Sequence, residues 1–396
     1  VVVAALAISL TLGAGGAAFG ANRSTSSSGS PIKVGVICAC TGAFGTNIAV
    51  AAKVVDAWEK SVNANGGING HPVDANVLDD ASTPGNSVTR AQTHISDGVD
   101  VILDITTLGS AWAQAVDAAK IPVVGGNISG TPYYTDPNFY PSGQTNDSIV
   151  NADVLTAKQA GAKKMAQLYC AEAPQCQESV NLHKKAGDQF GVPLVYSASI
   201  AATAPNYTAQ CLAAQQAGAE ALFIGHSGSV VMKVAADCER QGYKPVYITQ
   251  GTGFVMAEAD APGLSENLWS SYPILPFWGN SAPVKEMKKA LNKYSPGTVD
   301  DANFSEYAAQ AWTGAKLIEA AVQKSGVAAK DDVTAADITK ALDSMKDETL
   351  GGWSPPLTFT AGKPHSVDCW YTGRVQKGTP KLVNGGKLTC KKPVAA

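Results

Sequence analysis

Charge is scarce in this chain. Asp, Glu, Lys and Arg make up 16% of its 396 residues, against roughly 25% in an average domain. The net charge of −3 gives no reason to expect nucleic acid or an anionic membrane surface as a partner. Like charges run no longer than pairs such as Lys391-Lys392. Histidine is sparse too, at five residues, and the cysteine spacings do not fit tetrahedral zinc. A zinc centre is therefore not expected. No phosphate-binding loop, metal cluster or paired-carboxylate site stands out, so no cofactor is expected. No solenoid-type repeat is visible. Beyond the N-terminus, no stretch is long and apolar enough to cross a bilayer.

What is present begins with an apolar N-terminus. Residues 1–12 are apolar or small and residues 13–20 are rich in small side chains. This is the pattern of the apolar and cleavage regions of an export signal, here without its basic segment. Residues 1–21 are read as that signal and residues 22–30 as a Ser-rich linker. A membrane anchor is the competing reading, but the stretch is short for a span of about 20 residues and is broken by glycines. No Cys follows it, so nothing supports a lipid-anchored N-terminus. Export makes disulfides expected among the eight cysteines. About 105 pairings are possible, and local placement favours three: Cys170–Cys176 around a short loop, Cys211–Cys238 on consecutive helices, and Cys369–Cys390 on C-terminal strands. Cys38 and Cys40 are left either as a tight ring or as thiols.

The length exceeds what one hydrophobic core usually holds, so two lobes are expected. Strand and helix signals alternate along the chain. Residues 32–37 form a short apolar run fit for a buried strand. Thr41-Gly42-Ala43-Phe44-Gly45 follows as a loop, and residues 47–63 carry apolar side chains at helical spacing. Gly66-Gly67-Ile68-Asn69-Gly70 stops that helix, because Gly tolerates the left-handed conformation that ends one. Residues 73–78 start the next strand. The alternation continues through strands at 99–105 and 121–124, with a helix at 110–120 between them. It resumes over residues 164–249, giving parallel sheets covered on both faces.

This opening, and above all its Gly-Gly-Ile-Asn-Gly exit, resembles the leucine/isoleucine/valine-type solute-binding proteins of ABC importers, a branch of the type I periplasmic binding proteins. The resemblance implies an α/β fold of two Rossmann-like lobes with parallel sheets joined by a three-strand hinge. It implies three crossings between lobes, and the pattern breaks near residues 140–144, 271–276 and 359–364. Lobe one is then 31–142 with 275–360, and lobe two is 143–274 with 361–396. The implied role is an exported receptor, periplasmic or at the cell surface. It would bind a small-molecule ligand, act as a monomer and dock on a membrane ABC permease. A ligand-sensing receptor subunit on the same fold is the alternative.

In open α/β sheets, ligands bind beyond the carboxyl ends of strands, where loops meet helix N-termini. The candidate ligand residues sit in such loops. Thr106 and Thr107 follow a strand and offer hydroxyls and free amides to a carboxylate, although one of them, or Ser110, could merely cap the helix. Asn127, Ser129 and Thr131 fall in the loop of residues 126–131, which matches a ligand loop of the family. Tyr133 and Tyr134 either wall the cleft or cover that loop. Phe44 sits where relatives place an aromatic over the ligand side chain.

Gly225-His226-Ser227-Gly228-Ser229 approaches the nucleophile elbow of a serine hydrolase, with Asp260 and His365 downstream. Ser229 replaces the last glycine and crowds the strained turn, so an enzyme is disfavoured and His226 and Ser227 read as cleft lining. Gln250 is the sharpest departure. Amino-acid-binding relatives usually have an acidic residue at or near this place to pair with the ligand's ammonium, and a neutral amide cannot supply that charge. A carboxylate without an α-ammonium, or an amide, is then at least as good a ligand as leucine, unless Glu172 compensates from the neighbouring loop. His71, Trp58 and Trp353 read as structural, and His94 as an exposed helix residue.

Overall fold

The computed structural model describes residues 28–172 and 174–393. The expected signal segment at 1–21, and the linker up to residue 27, lie outside the described residues. Two sheets organise the rest. The first holds β1 (Ile32–Cys38), β2 (Val73–Asp79), β3 (Val101–Ile105), β4 (Val123–Gly125) and β5 (Phe139–Tyr140). Its strands are parallel, in the order β2-β1-β3-β4-β5. The second holds β6 (Met165–Cys170), β7 (Leu194–Ile200), β8 (Ala221–Gly225), β9 (Val246–Gln250) and β10 (Leu268–Tyr272). These are also parallel, in the order β7-β6-β8-β9-β10. Antiparallel strands β11 (Cys369–Gln376), β12 (Thr379–Leu382) and β13 (Thr389–Cys390) extend it past β10. Each lobe thus winds in the same order and reverses direction once, between β1 and β3 in one and between β6 and β8 in the other.

Both faces of each sheet are covered, which explains why the central strands read as near-continuous apolar runs. All five residues of β3 are buried. Leu103 and Ile105 pack in one core with Val54 and Trp58 of the helix Val50–Ala64. Ile102 faces the opposite core with Ala91 of Pro84–Ser96 and Val116 of Ala113–Ala119. In the second sheet, Leu222 and Ile224 face one side while Ala221 and Phe223 face the other. The helix expected over 110–120 is shorter, because Gly109–Ala111 is a 3-10 turn and the α-helix begins only at Ala113.

The chain passes between the sheets three times, and the crossing segments are hydrogen-bonded side by side. The Gln144 N–H donates to Pro273 and the Thr145 N–H to Val367, while the Leu275 N–H donates to Trp353. Four disulfides are present: Cys38–Cys40, Cys170–Cys176, Cys211–Cys238 and Cys369–Cys390. Cys38 and Cys40, left open by the sequence, therefore close a ring at the end of β1.

His94 is a correction. It is fully buried, not exposed, and its Nε2 lies 3.2 Å from the Val36 carbonyl. Its room comes from Gly35 on β1, where a Cβ would stand 2.7 Å from the ring. His71 is buried as a strut, its ring nitrogens meeting the carbonyls of Ser30 and Ala328 at 2.9 and 3.2 Å. Trp58 and Trp353 are buried as well.

The glycine exit of the first long helix is sterically required. Gly67 has φ +76°, and a Cβ there would overlap the carbonyl of His71, whose N–H and C=O pair with Ile68. Gly67→Ala is expected to lower stability by roughly 2 kcal/mol. Denaturant unfolding checks this, and an unchanged midpoint would mean that the turn relaxes freely.

Candidate functional site

A cavity of about 150 Å³ lies between the lobes. Its walls come from the carboxyl ends of strands in both sheets. Phe44 follows β1 and Thr107 follows β3, so the first lobe contributes the two loops flanking its strand reversal. Tyr169 and Cys170 end β6, and His226 and Ser227 follow β8, so the second lobe does the same. Ser129 after β4 and Gln250 at the end of β9 complete the pattern.

Local contacts hold these loops in place. Asp79, at the end of β2, accepts from the Thr41 N–H at 3.1 Å, the Thr41 hydroxyl at 2.5 Å and the Ala81 N–H at 2.9 Å. Burial pushes the Asp79 carboxyl up, but these donors outweigh it and hold the group below its usual range. Gly42, at φ +80°, lets the loop pass the Ala81 carbonyl, where a Cβ would clash. Beneath the Thr106-Thr107 turn lies Asp104. It accepts from the Thr106 N–H at 3.0 Å and the Tyr133 hydroxyl at 3.1 Å. Burial nevertheless pushes its carboxyl up to about 8, with nearby Asp80 adding to the shift.

Five of the eight expected ligand residues meet at the cavity: Phe44, Thr107, Ser129, Ser227 and Gln250. His226 joins them. The other three do not line it. Thr106 is buried and its hydroxyl accepts from the Leu108 N–H at 3.3 Å. Successive residues at a strand end point to opposite sides, so only its neighbour Thr107 faces the cleft. Asn127 is buried, and its Oδ1 accepts from the N–H and hydroxyl of Ser129, closing its own turn. Thr131 is exposed, at the start of the short helix Pro132–Thr135. Neither Tyr133 nor Tyr134 reaches the lining.

Other lining residues carry no local signal in the sequence. Asn47 donates its Nδ2 to the Gly253 carbonyl at 3.2 Å, bridging the two lobes beside the cavity. Tyr307 arrives from the N-terminus of the helix Glu306–Ser325, far away in sequence. Tyr169 was within reach of the strand-end rule that picked the others.

Among the described residues, no Asp, Glu, Lys or Arg lines the cavity. Glu172 instead pairs with His226 behind the wall, Oε2 to Nε2 at 3.2 Å. Burial pushes the His226 imidazole below its usual value despite Glu172. Its Nδ1 accepts from the Ser227 N–H at 2.8 Å, so Nε2 is the nitrogen that carries the proton and donates to Glu172. Burial raises the Glu172 carboxyl, but the Ala202 N–H, at 2.7 Å, and His226 bring the balance below its usual range.

The hydrolase constellation is not assembled. The acceptor nitrogen of His226 is occupied by a backbone N–H of the same loop. His365 is buried elsewhere, stacked 4.9 Å from Tyr140 and tilted against Phe359 at 4.8 Å. Asp260 closes the 3-10 segment Met256–Asp260 and does not line the cavity. No group of three or more metal-binding side chains occurs among the described residues.

Comparison with known proteins agrees with this geometry. The family model described as periplasmic binding protein matches residues 31–380. A curated relative, the Leu/Ile/Val-binding protein homolog 3 of Brucella melitensis, is 26% identical over 207 residues. That match covers 49% of this chain and 54% of the relative, so the chain spans about half the length of the curated relative it matches. Among solved structures, a branched chain amino acid ABC transporter protein from Thermus thermophilus with bound valine superposes with a TM-score of 0.80 at 15% identity, covering 91% of this chain and 97% of that one. A fatty acid ABC transporter substrate-binding protein from Thermomonospora curvata gives 0.77 at 18%, covering 92% and 93%.

Proposed function

The chain belongs to the periplasmic binding protein family, and on that premise we propose that it is the extracytoplasmic solute-binding subunit of an ABC importer. The lobes are residues 31–142 with 275–360 and residues 143–274 with 361–396, bending about the three crossing segments to enclose a small molecule. The loaded receptor then docks on a membrane permease. Export fits the four disulfides, and no helix among the described residues is long and apolar enough to cross a membrane.

The observation that carries this reading is the cavity itself. Both sheets direct their strand-reversal loops at one point, which is where open α/β sheets hold ligands. About 150 Å³ is the scale of a cavity that accepts a benzene-sized molecule. That favours a branched-chain amino acid, or a related carboxylate or amide, over a long acyl chain. Phe44, Ile48 and Phe223 would face the apolar part, and Thr107 would donate to a carboxylate.

Calorimetry with leucine, isoleucine, valine and their deaminated acids tests the ligand class. One-to-one binding of at least one compound is expected, and no heat from any of them refutes the class. The compounds should be recovered unchanged. Conversion that disappears in Ser227→Ala would make the protein an enzyme instead.

A further inference from the structure

Behind the second-lobe wall lies a buried polar cluster that the reading above does not use. Asp153, on the helix Asn146–Gln159, is fully buried. Three side chains from three elements converge on it. The Ser271 hydroxyl of β10 donates to Oδ1 at 3.0 Å. The Gln250 amide of β9 donates from Nε2 to Oδ2 at 3.0 Å. His183, on the helix Pro174–Phe190, brings Nε2 within 3.3 Å of Oδ2. The other nitrogen of His183 faces the Ser179 carbonyl at 2.9 Å. A carboxylate and a carbonyl only accept, so both faces of this ring are committed inside the cluster.

Gln250 and Ser179 also line the ligand cavity, and of the two only Gln250 bonds Asp153. An amide is ambivalent, with a donor on one arm and an acceptor on the other. Which arm meets a ligand depends on what holds the other arm. Here the donor arm is taken by Asp153, and rotating the amide would set Oε1 against a carboxylate oxygen. Among the described residues, no donor reaches Gln250 Oε1.

We propose that Asp153 is a positioning residue, fixing the Gln250 amide so that its Oε1 is the atom offered to the ligand. The cleft then selects molecules that bring an N–H or O–H donor to that point, with their carboxylate toward Thr107. This deepens, and rests on, the solute-binding reading. It also changes what the sequence implies at this position. Gln250 brings no formal charge, yet it presents an acceptor of the kind an ammonium or amide N–H requires. Glu172 is not needed for that task, being engaged with His226.

The first test reads the amide directly. In the apo full chain, the Gln250 side-chain NH₂ signals, assigned by loss in Gln250→Ala, should exchange slowly with solvent. In Asp153→Asn that exchange should rise at least tenfold, and unchanged exchange overturns the proposal.

The second test reads selectivity, using L-valine and its 2-oxo acid, which replaces the donor by an acceptor. Wild type should prefer L-valine, and Asp153→Asn should cut the preference at least tenfold. A purely structural role would weaken both ligands alike and leave the ratio unchanged, which overturns the proposal. If Asp153→Asn does not fold, the exchange variant Asp153→Asn/Gln250→Glu restores a donor–acceptor pair with the charge moved to the cleft. It should bind L-valine at least tenfold more tightly than Gln250→Glu alone, where two carboxyls collide, and no gain overturns the proposal. If wild type binds neither probe, the ligand class proposed above fails, and the amide exchange still decides the role of Asp153.

Discussion

Between pH 6.5 and pH 8 the unfolding free energy is expected to fall by about 3 kcal/mol or more. The cause is a set of carboxyls buried without a cation. Burial pushes Asp104 up to about 8, against opposing bonds from Thr106 and Tyr133. Burial likewise pushes Glu258 up to about 8, with only the Val255 N–H opposing it. Glu306 is driven well above its usual value for the same reason, opposed by the Phe277 N–H alone. In each case the folded state holds its proton above the pH at which the unfolded chain releases it. The folded state therefore binds more protons over this window, and stability declines as pH rises. The contribution is fully present below about pH 4 and is lost as pH climbs through about 8. Asp104 and Glu258 should each account for on the order of 1.5 kcal/mol between pH 6.5 and 8. Asp79 and Glu172, whose carboxyls are held low, act in the opposite sense below about pH 4.5, and His94, His226 and His365, whose imidazoles burial pushes down, do so up to about pH 6.5. Melting curves across this range check the sign. Asp104→Asn or Glu258→Gln should flatten the pH slope, and a protein that grows more stable toward pH 8 would refute the assignment.

Replacing Ser227 by Trp is expected to weaken ligand binding at least about a hundredfold, or roughly 2.7 kcal/mol. Ser227 stands just before the helix Gly228–Arg240 and faces the cavity. A side chain of that size fills much of about 150 Å³. Ser227→Ala should change affinity far less, because the Ser227 hydroxyl is shared with Ser229 at 3.2 Å and is not the sole donor in the loop. Titration of both variants with the same ligand decides. Equal affinities for wild type and Ser227→Trp would place the ligand outside this cavity.

Much of the fold was legible because its signals are local. Buried strands read as apolar runs, helices as periodic ones, and Gly66-Gly67 as a stop, since a Cβ at Gly67 has no room. The site was legible where a rule of topology met a local pattern. Loops after strands gave Phe44, Thr107, Ser129, Ser227 and Gln250, all of which line the cavity. Side-chain direction was harder to read. Thr106 and Asn127 lie in the right loops but turn inward, one by strand alternation and the other by bonding its own turn. His94 misled because a polar residue on a helix reads as solvated, while the pocket that buries it is made by Gly35, on a different element. Tyr307 and Asp153 were out of reach for the same reason. Their placement depends on contacts across more than ninety positions of the chain, such as Gln250 with Asp153, and nothing beside them in sequence announces it.

Native mass spectrometry of the protein purified from its own host tests most directly whether this chain captures a small molecule between its lobes. Wild type should carry one small molecule per chain, released intact on unfolding and bearing a hydrogen-bond donor beside a carboxylate or amide. Ser227→Trp, purified the same way, should arrive empty. Equal occupancy in both proteins would contradict a ligand site in the cleft.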